Sequence, residues 1–135
     1  MLEFINKFLN RKRLKYIRQE WGEENNKKRD FKNIRVLFDY LKEEEKKTFY
    51  IDNQTWEDLN MNEVYSKLDR TFSFCGKQAL YNILRRPFLE EKALKERDSI
   101  IDFFKDNQVA REKLLLELSK LDVRDTGAVE LFLTN

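Results

Sequence analysis

The chain has 135 residues, 41% of them hydrophobic and 39% charged, with a net charge of +2. That is long enough to bury one modest core and too apolar in its periodic segments for disorder. Three Gly and one Pro leave too little turn chemistry for a β-sandwich or barrel, and the absence of His removes the commonest metal ligand and general base.

Residues 2–20 read as an amphipathic helix, with Leu2, Ile5, Phe8, Leu9, Tyr16 and Ile17 at helical spacing. Its second half is crowded with cations, which a helix C-terminus favours without any ligand. Trp21 to Lys28 is polar, contains Gly22 and breaks the helix. A second helix starts near Asp30 and presents Phe31, Ile34, Leu37, Phe38 and Leu41 on one face, until Glu43-Glu44-Glu45-Lys46-Lys47 ends it in water. Residues 48–52 are the one credible strand.

Asn60 with Glu63 then suits the start of a short helix with Val64 and Leu68 facing inward. Ser73 suits the cap of the next, with Ala79, Leu80, Ile83 and Leu84 inward, and Pro87 stops it near Arg86. A helix from about Glu90 to Lys105 directs Leu94, Ile101 and Phe104 inward. Asn107 caps the last, with Leu114, Leu115, Leu118 and Leu121 as its stripe. The run 127–133 begins another apolar element, which reads as the edge of a longer protein; the alternative is a terminal helix docking back on the bundle. The expected fold is all-α, an irregular multi-helix bundle with at most one short strand near residues 48–52.

Residues 1–48 hold fourteen Lys/Arg against nine Asp/Glu. Such a basic segment suits nucleic acid or an acidic membrane surface, with Arg11, Lys12, Arg13, Lys15 and Arg18 as candidate contacts, while solvated helix faces are the plainer reading. A single cysteine, Cys75, excludes an internal disulfide, fits a reducing compartment and is expected to pack in its apolar setting. No stretch approaches the roughly 18 apolar residues of a membrane span and no signal-peptide run is present, so the expected location is the cytoplasm, with no membrane partner.

Catalytic patterns are missing. Gly76-Lys77 resembles the end of a phosphate loop, but Thr71 stands at the upstream Gly position and Gln78 at the hydroxyl position. No His is available to activate a Ser or Cys. Trp56, Phe72, Phe74, Tyr81 and Phe88 could serve as base-stacking platforms, but Tyr65, Phe72 and Phe74 sit among apolar residues, which favours core packing.

An ordered set of features spans residues 50–104. Tyr50-Ile51-Asp52-Asn53-Gln54-Thr55-Trp56-Glu57-Asp58-Leu59 comes first. Leu68-Asp69-Arg70-Thr71-Phe72-Ser73-Phe74-Cys75-Gly76 follows, then Leu80-Tyr81-Asn82-Ile83-Leu84-Arg85-Arg86-Pro87, then Arg97. This series resembles the opening of the core (lever) domain of the MutS family of DNA mismatch repair ATPases. The resemblance covers about half of the chain. It singles out Asp52, Thr55, Leu59, Leu68, Asp69, Thr71, Gly76, Leu80, Pro87 and Arg97 as structural positions.

Physical roles suit these residues. Asp69 and Thr71 can satisfy backbone donors between helices, Gly76 lets two helices approach closely or permits a bend, and Arg97 can snorkel or pair with Asp69 or Asp52. The resemblance implies residues 1–48 as a basic helical segment and 49–135 as the start of the core. It also implies a parent that uses ATP and Mg, embraces DNA and forms dimers, whereas this chain holds no cofactor and no active site. The family's mismatch reader is missing, and Phe88-Leu89-Glu90 matches its wedge only in letters. A freestanding helical adaptor acting through residues 2–17 and a non-specific nucleic-acid binder are the competing readings.

Overall fold

A computed structural model describes residues 2–23, 27–45 and 48–121. The helices are α1 (Leu2–Glu20), α2 (Phe31–Ile34), α3 (Val36–Glu44), α4 (Asn53–Asp58), α5 (Met61–Leu68), α6 (Phe74–Arg85), α7 (Glu91–Asp106) and α8 (Gln108–Leu121). The fold is all-α, and the described residues contain no strand. Residues 48–52, the expected strand, are joined to the rest by a single ladder-like bond, from the Ile51 amide to the Arg85 carbonyl at 2.8 Å. With no partner strand to share a ladder, β-propensity alone builds no sheet.

The local signals for helix ends act as side-chain chemistry dictates. Asp30 accepts from the Lys32 amide at 3.2 Å to open α2, and Ser73 accepts from the Gly76 amide at 3.1 Å to open α6. Asn107 accepts from the Ala110 amide at 3.0 Å at the head of α8. Asn60 differs. It adopts a left-handed backbone, φ 50°, and its side-chain amide donates to Glu63 Oε2 at 2.6 Å instead of capping. The segment expected as one helix from Asp30 breaks at Arg35, whose guanidinium turns to Asp39 at 2.7 Å.

The described residues divide into two compact units, one of residues 2–23 with 88–120 and one of residues 27–45 with 48–87 and 121. In the second, α2 and α3 pack on α6, α5 also packs on α6, and α4 packs on α5. Its core is Ile34, Phe38, Trp56, Tyr65 and Tyr81, edged by Phe31, Tyr50, Ile51, Met61, Leu80 and Leu84. Tyr81 stands at the centre, 4.8 Å from the Trp56 ring, 6.0 Å from Phe38 and 6.1 Å from Tyr65 by centroid. Such tilted and edge-on pairs add about 0.5–1.5 kcal/mol each beyond the area they bury.

The inward faces correct several expectations. In α5 the fully buried residue is Tyr65, and Val64 and Leu68 are exposed. The Tyr65 ring fills the interior and its hydroxyl donates to the Lys77 carbonyl at 2.9 Å, a better use of the site than two small aliphatics. In α6 the buried line is Gln78, Tyr81 and Arg85, while Ala79 and Ile83 are exposed and Leu80 and Leu84 are half-buried. Cys75 shares the outward side with Ala79 and Ile83 at i, i+4 and i+8, so it is exposed and not packed as expected. The helix is rotated because its buried polar side chains need partners: Gln78 Nε2 donates to the Asn33 carbonyl at 3.1 Å.

In the other unit Ile17 of α1 is the fully buried apolar side chain among the described residues. Arg18 grips Glu112 with two bonds of 2.8 and 2.7 Å, and that bond, followed by one from Gln108, holds the Glu112 carboxyl down at about 2. The Arg111 guanidinium covers the Trp21 ring at 3.8 Å and donates to the Phe104 and Lys105 carbonyls at the end of α7. Leu94 and Ile101, expected inward, are about half exposed, and Phe104 is half-buried. Along α8, Leu115 and Leu118 are half-buried while Leu114 and Leu121 are exposed. The expected apolar edge at 127–133 lies outside the described residues.

Candidate functional site

The residues that the sequence singled out converge most strongly where α5 gives way to α6. The Asp69 amide donates to the Tyr65 carbonyl at 2.8 Å, closing α5. Its Oδ1 accepts from the Thr71 amide at 3.0 Å and the Thr71 hydroxyl at 2.6 Å, a short local loop that an aspartate two residues upstream readily forms. Its Oδ2 accepts from Arg29 Nε at 2.6 Å, and the two side chains are only 4% and 3% exposed. Arg29 also reaches the Ser66 and Asp69 carbonyls at 3.4 Å and the Lys27 carbonyl. A buried pair persists when hydrogen bonds satisfy both partners, and this one ties the segment before α2 to the α5–α6 junction.

Gly76 belongs to the same junction. A Cβ at this position would lie 3.0 Å from Ser73 Oγ and 3.2 Å from Thr71 Cβ. Ser73 Oγ is fixed by its cap bond, so it has little room to yield. Asp69, Thr71, Ser73 and Gly76 therefore form one interlocked elbow.

A second centre surrounds Arg85, which is 2% exposed. All five of its N–H groups are used. Nε and Nη2 donate to the Tyr81 hydroxyl at 3.0 and 2.8 Å, Nη1 to the Ile51 and Asp52 carbonyls at 2.8 and 2.9 Å, and Nη2 to Asn53 Oδ1 at 3.0 Å. The Trp56, Phe38 and Tyr81 rings lie 4.3, 5.1 and 5.2 Å from the guanidinium carbon. Among the described residues no carboxylate is hydrogen-bonded to it; carbonyl dipoles and ring faces solvate the charge.

Beside this centre Asp52 caps α4, accepting from the Thr55 amide at 2.8 Å, and that bond holds its carboxyl below the usual range. Leu59 ends α4 with its side chain exposed, Leu68 is exposed at the end of α5, and Leu80 packs on the core. Pro87 follows the α6 cap at Arg86 and is exposed. Arg97, expected to snorkel or to pair with Asp69 or Asp52, lies 3.9 Å over the Phe88 ring. Asp69 is bonded by Arg29, and Asp52 caps its own helix.

The basic residues of α1 separate. Arg11, Lys12 and Lys15 are exposed, Arg13 is half-buried, and Arg18 is engaged by Glu112. Arg11, Leu14, Lys15, Arg18 and Gln19 line a shallow groove along the helix.

Arg29, Gln78 and the role of Arg85 were not read from sequence. Their acceptors lie 32 to 45 residues away, and no spacing rule reaches so far; the local hint for Arg85 is Tyr81 one turn earlier. Among the described residues no group of three or more His, Cys, Asp or Glu is placed to hold a metal, and no helix is long and apolar enough to cross a membrane. The arrangement fixes the end of α5 and the start of α6. No family model matches the chain, and no curated protein or solved structure matches it.

Proposed function

We propose that this chain is a non-catalytic helical portion of a MutS-like DNA mismatch repair or recombination ATPase, acting as a structural lever between ATPase and DNA-clamp regions. The observation that carries the reading is the elbow. Asp69, Thr71 and Gly76, three positions of the MutS-like series, meet in one hydrogen-bonded junction in which the buried Asp69 is held by Arg29. A joint so tightly specified moves as a body, as a lever must. In this reading ATP and Mg bind elsewhere in the parent, DNA is reached through the parent, the partners are the remainder of that protein and a second copy, and the location is the cytoplasm. The chain itself carries out no catalysis.

The test is made in the parent. Asp69→Ala is expected to leave ATP hydrolysis without DNA within about twofold of normal and to remove most of the change that DNA causes. Loss of hydrolysis and DNA response in equal measure would contradict a transmitting role. A freestanding helical adaptor is the second reading, favoured by the exposed Phe4, Ile5, Phe8 and Leu9 of α1 and the exposed Ile100, Ile101 and Phe103 of α7.

A further inference from the structure

The exposed side of α1 has two chemistries in succession. Phe4, Ile5, Phe8 and Leu9 fill its first turns; Phe4 is 78% exposed and the others about half. At about 100° per residue these four share one sector of the helix. Lys7, Arg11 and Lys15 follow one another at i, i+4 and i+8 along the border of that sector, about 6 Å apart along the axis. Among the described residues none of the three is paired with a carboxylate, in contrast to Arg18 on Glu112. Lys12 stands 4.7 Å over the Phe8 ring, where the apolar and cationic parts meet. The far end of the helix is rooted in its own unit by Ile17 and by the Arg18–Glu112 pair, so the exposed turns are presented from a fixed base.

We propose that α1 docks this chain on an anionic phospholipid surface, with Phe4, Ile5, Phe8 and Leu9 entering the acyl boundary and Lys7, Arg11 and Lys15 meeting the phosphates. Charge complementarity selects the occupant. A second copy would bring the same unpaired cations together. A DNA duplex supplies phosphates but gives four large apolar side chains nowhere dry to go. A lipid surface supplies apolar chains and phosphate within a few ångströms of each other, and a helix lying in that interface spans nothing. The inference stands on the exposure and charge of α1, independently of the lever reading.

The experiment is co-sedimentation of the full chain with vesicles of phosphatidylcholine alone and of phosphatidylcholine with about one-third phosphatidylserine. Partitioning is expected to be at least roughly tenfold stronger on the anionic vesicles. Phe4→Gln with Phe8→Gln should lower it by roughly tenfold or more, with the thermal melt unchanged because both side chains are exposed. Replacing Lys7, Arg11 and Lys15 by Gln together should lower it by roughly a hundredfold. Failure to bind anionic vesicles would overturn the proposal. So would binding that ignores the Phe changes, the mark of a general polyanion site, or tighter binding to a DNA duplex than to vesicles. Self-association abolished by the Phe changes would assign the face to a second copy, and capture by an acidic protein groove in preference to vesicles would assign it to a protein.

Discussion

Arg85→Ala probes the packing account most severely. The substitution removes five hydrogen bonds and strands the Ile51 and Asp52 carbonyls and Asn53 Oδ1, with the Tyr81 hydroxyl losing two donors. Each buried polar group left unpaired costs about 1–3 kcal/mol, although acceptors near the surface recover part of that from water. The cation's contacts with three rings contribute up to about 2 kcal/mol, and the vacated volume adds a cavity cost. Against this, burial of a cation without a bonded carboxylate is relieved. The balance is about 3–4 kcal/mol of destabilisation, similar to the breaking of a buried ion pair.

With an unfolding entropy of about 2.1 cal/mol/K per residue, that corresponds to a fall in Tm of roughly 10–20 °C, the larger figure applying if the unit melts alone. Differential scanning calorimetry beside Arg35→Ala supplies the comparison, because the Arg35–Asp39 pair is 40% and 44% exposed and is worth under about 1 kcal/mol. Arg85→Lys, with three donors in place of five, should fall between the two. A drop of less than about 3 °C for Arg85→Ala, or one no larger than that of Arg35→Ala, would refute the reasoning.

Gly76→Val should lower Tm by several degrees, about 1–3 kcal/mol, since its Cβ meets Ser73 Oγ at 3.0 Å and Thr71 Cβ at 3.2 Å; an unchanged melt removes the close-approach argument. Asp69→Asn should cost about 3–5 kcal/mol in urea unfolding by leaving Arg29 buried beside a neutral group, and adding Arg29→Leu should recover part of the loss; additive losses would mean that the two residues act separately. Tyr65 gives a pH test, since burial raises its phenol above the ordinary value of about 10. The folded state then holds that proton more tightly than the unfolded chain, so stability is full below pH 10 and falls as pH rises beyond it. Tyr65→Phe should lose about 1 kcal/mol near neutrality with the bond to the Lys77 carbonyl, and its stability should fall less steeply above pH 10; an identical alkaline slope would show that other groups govern that range.

The sequence was most informative where causes are local. Asp30, Ser73 and Asn107 announce helix starts because each side chain bonds an amide two or three residues on, and Pro87 stops α6 because its ring restricts the residue before it. Of Tyr65, Phe72 and Phe74, read as core aromatics, Tyr65 is buried and the other two are half-buried. Hydrophobicity misjudged the faces of α5 and α6, because the interior of this unit is built around polar side chains with distant partners. Gln78 reaches the Asn33 carbonyl, Arg85 the Ile51 carbonyl, and Arg29 the Asp69 carboxylate. A residue type says that a buried Arg needs partners; it does not say which carbonyls the fold will bring. For the same reason Asp69 could be expected to accept backbone donors where α5 meets α6, whereas its Arg29 partner, 40 residues away, could not.

The lever account is tested most directly by reading the whole open reading frame that encodes these 135 residues. The account predicts several hundred further, largely helical residues followed by a Gly-x-x-x-x-Gly-Lys-Ser/Thr phosphate loop. An open reading frame without that loop would contradict it and leave the helical adaptor as the function to pursue.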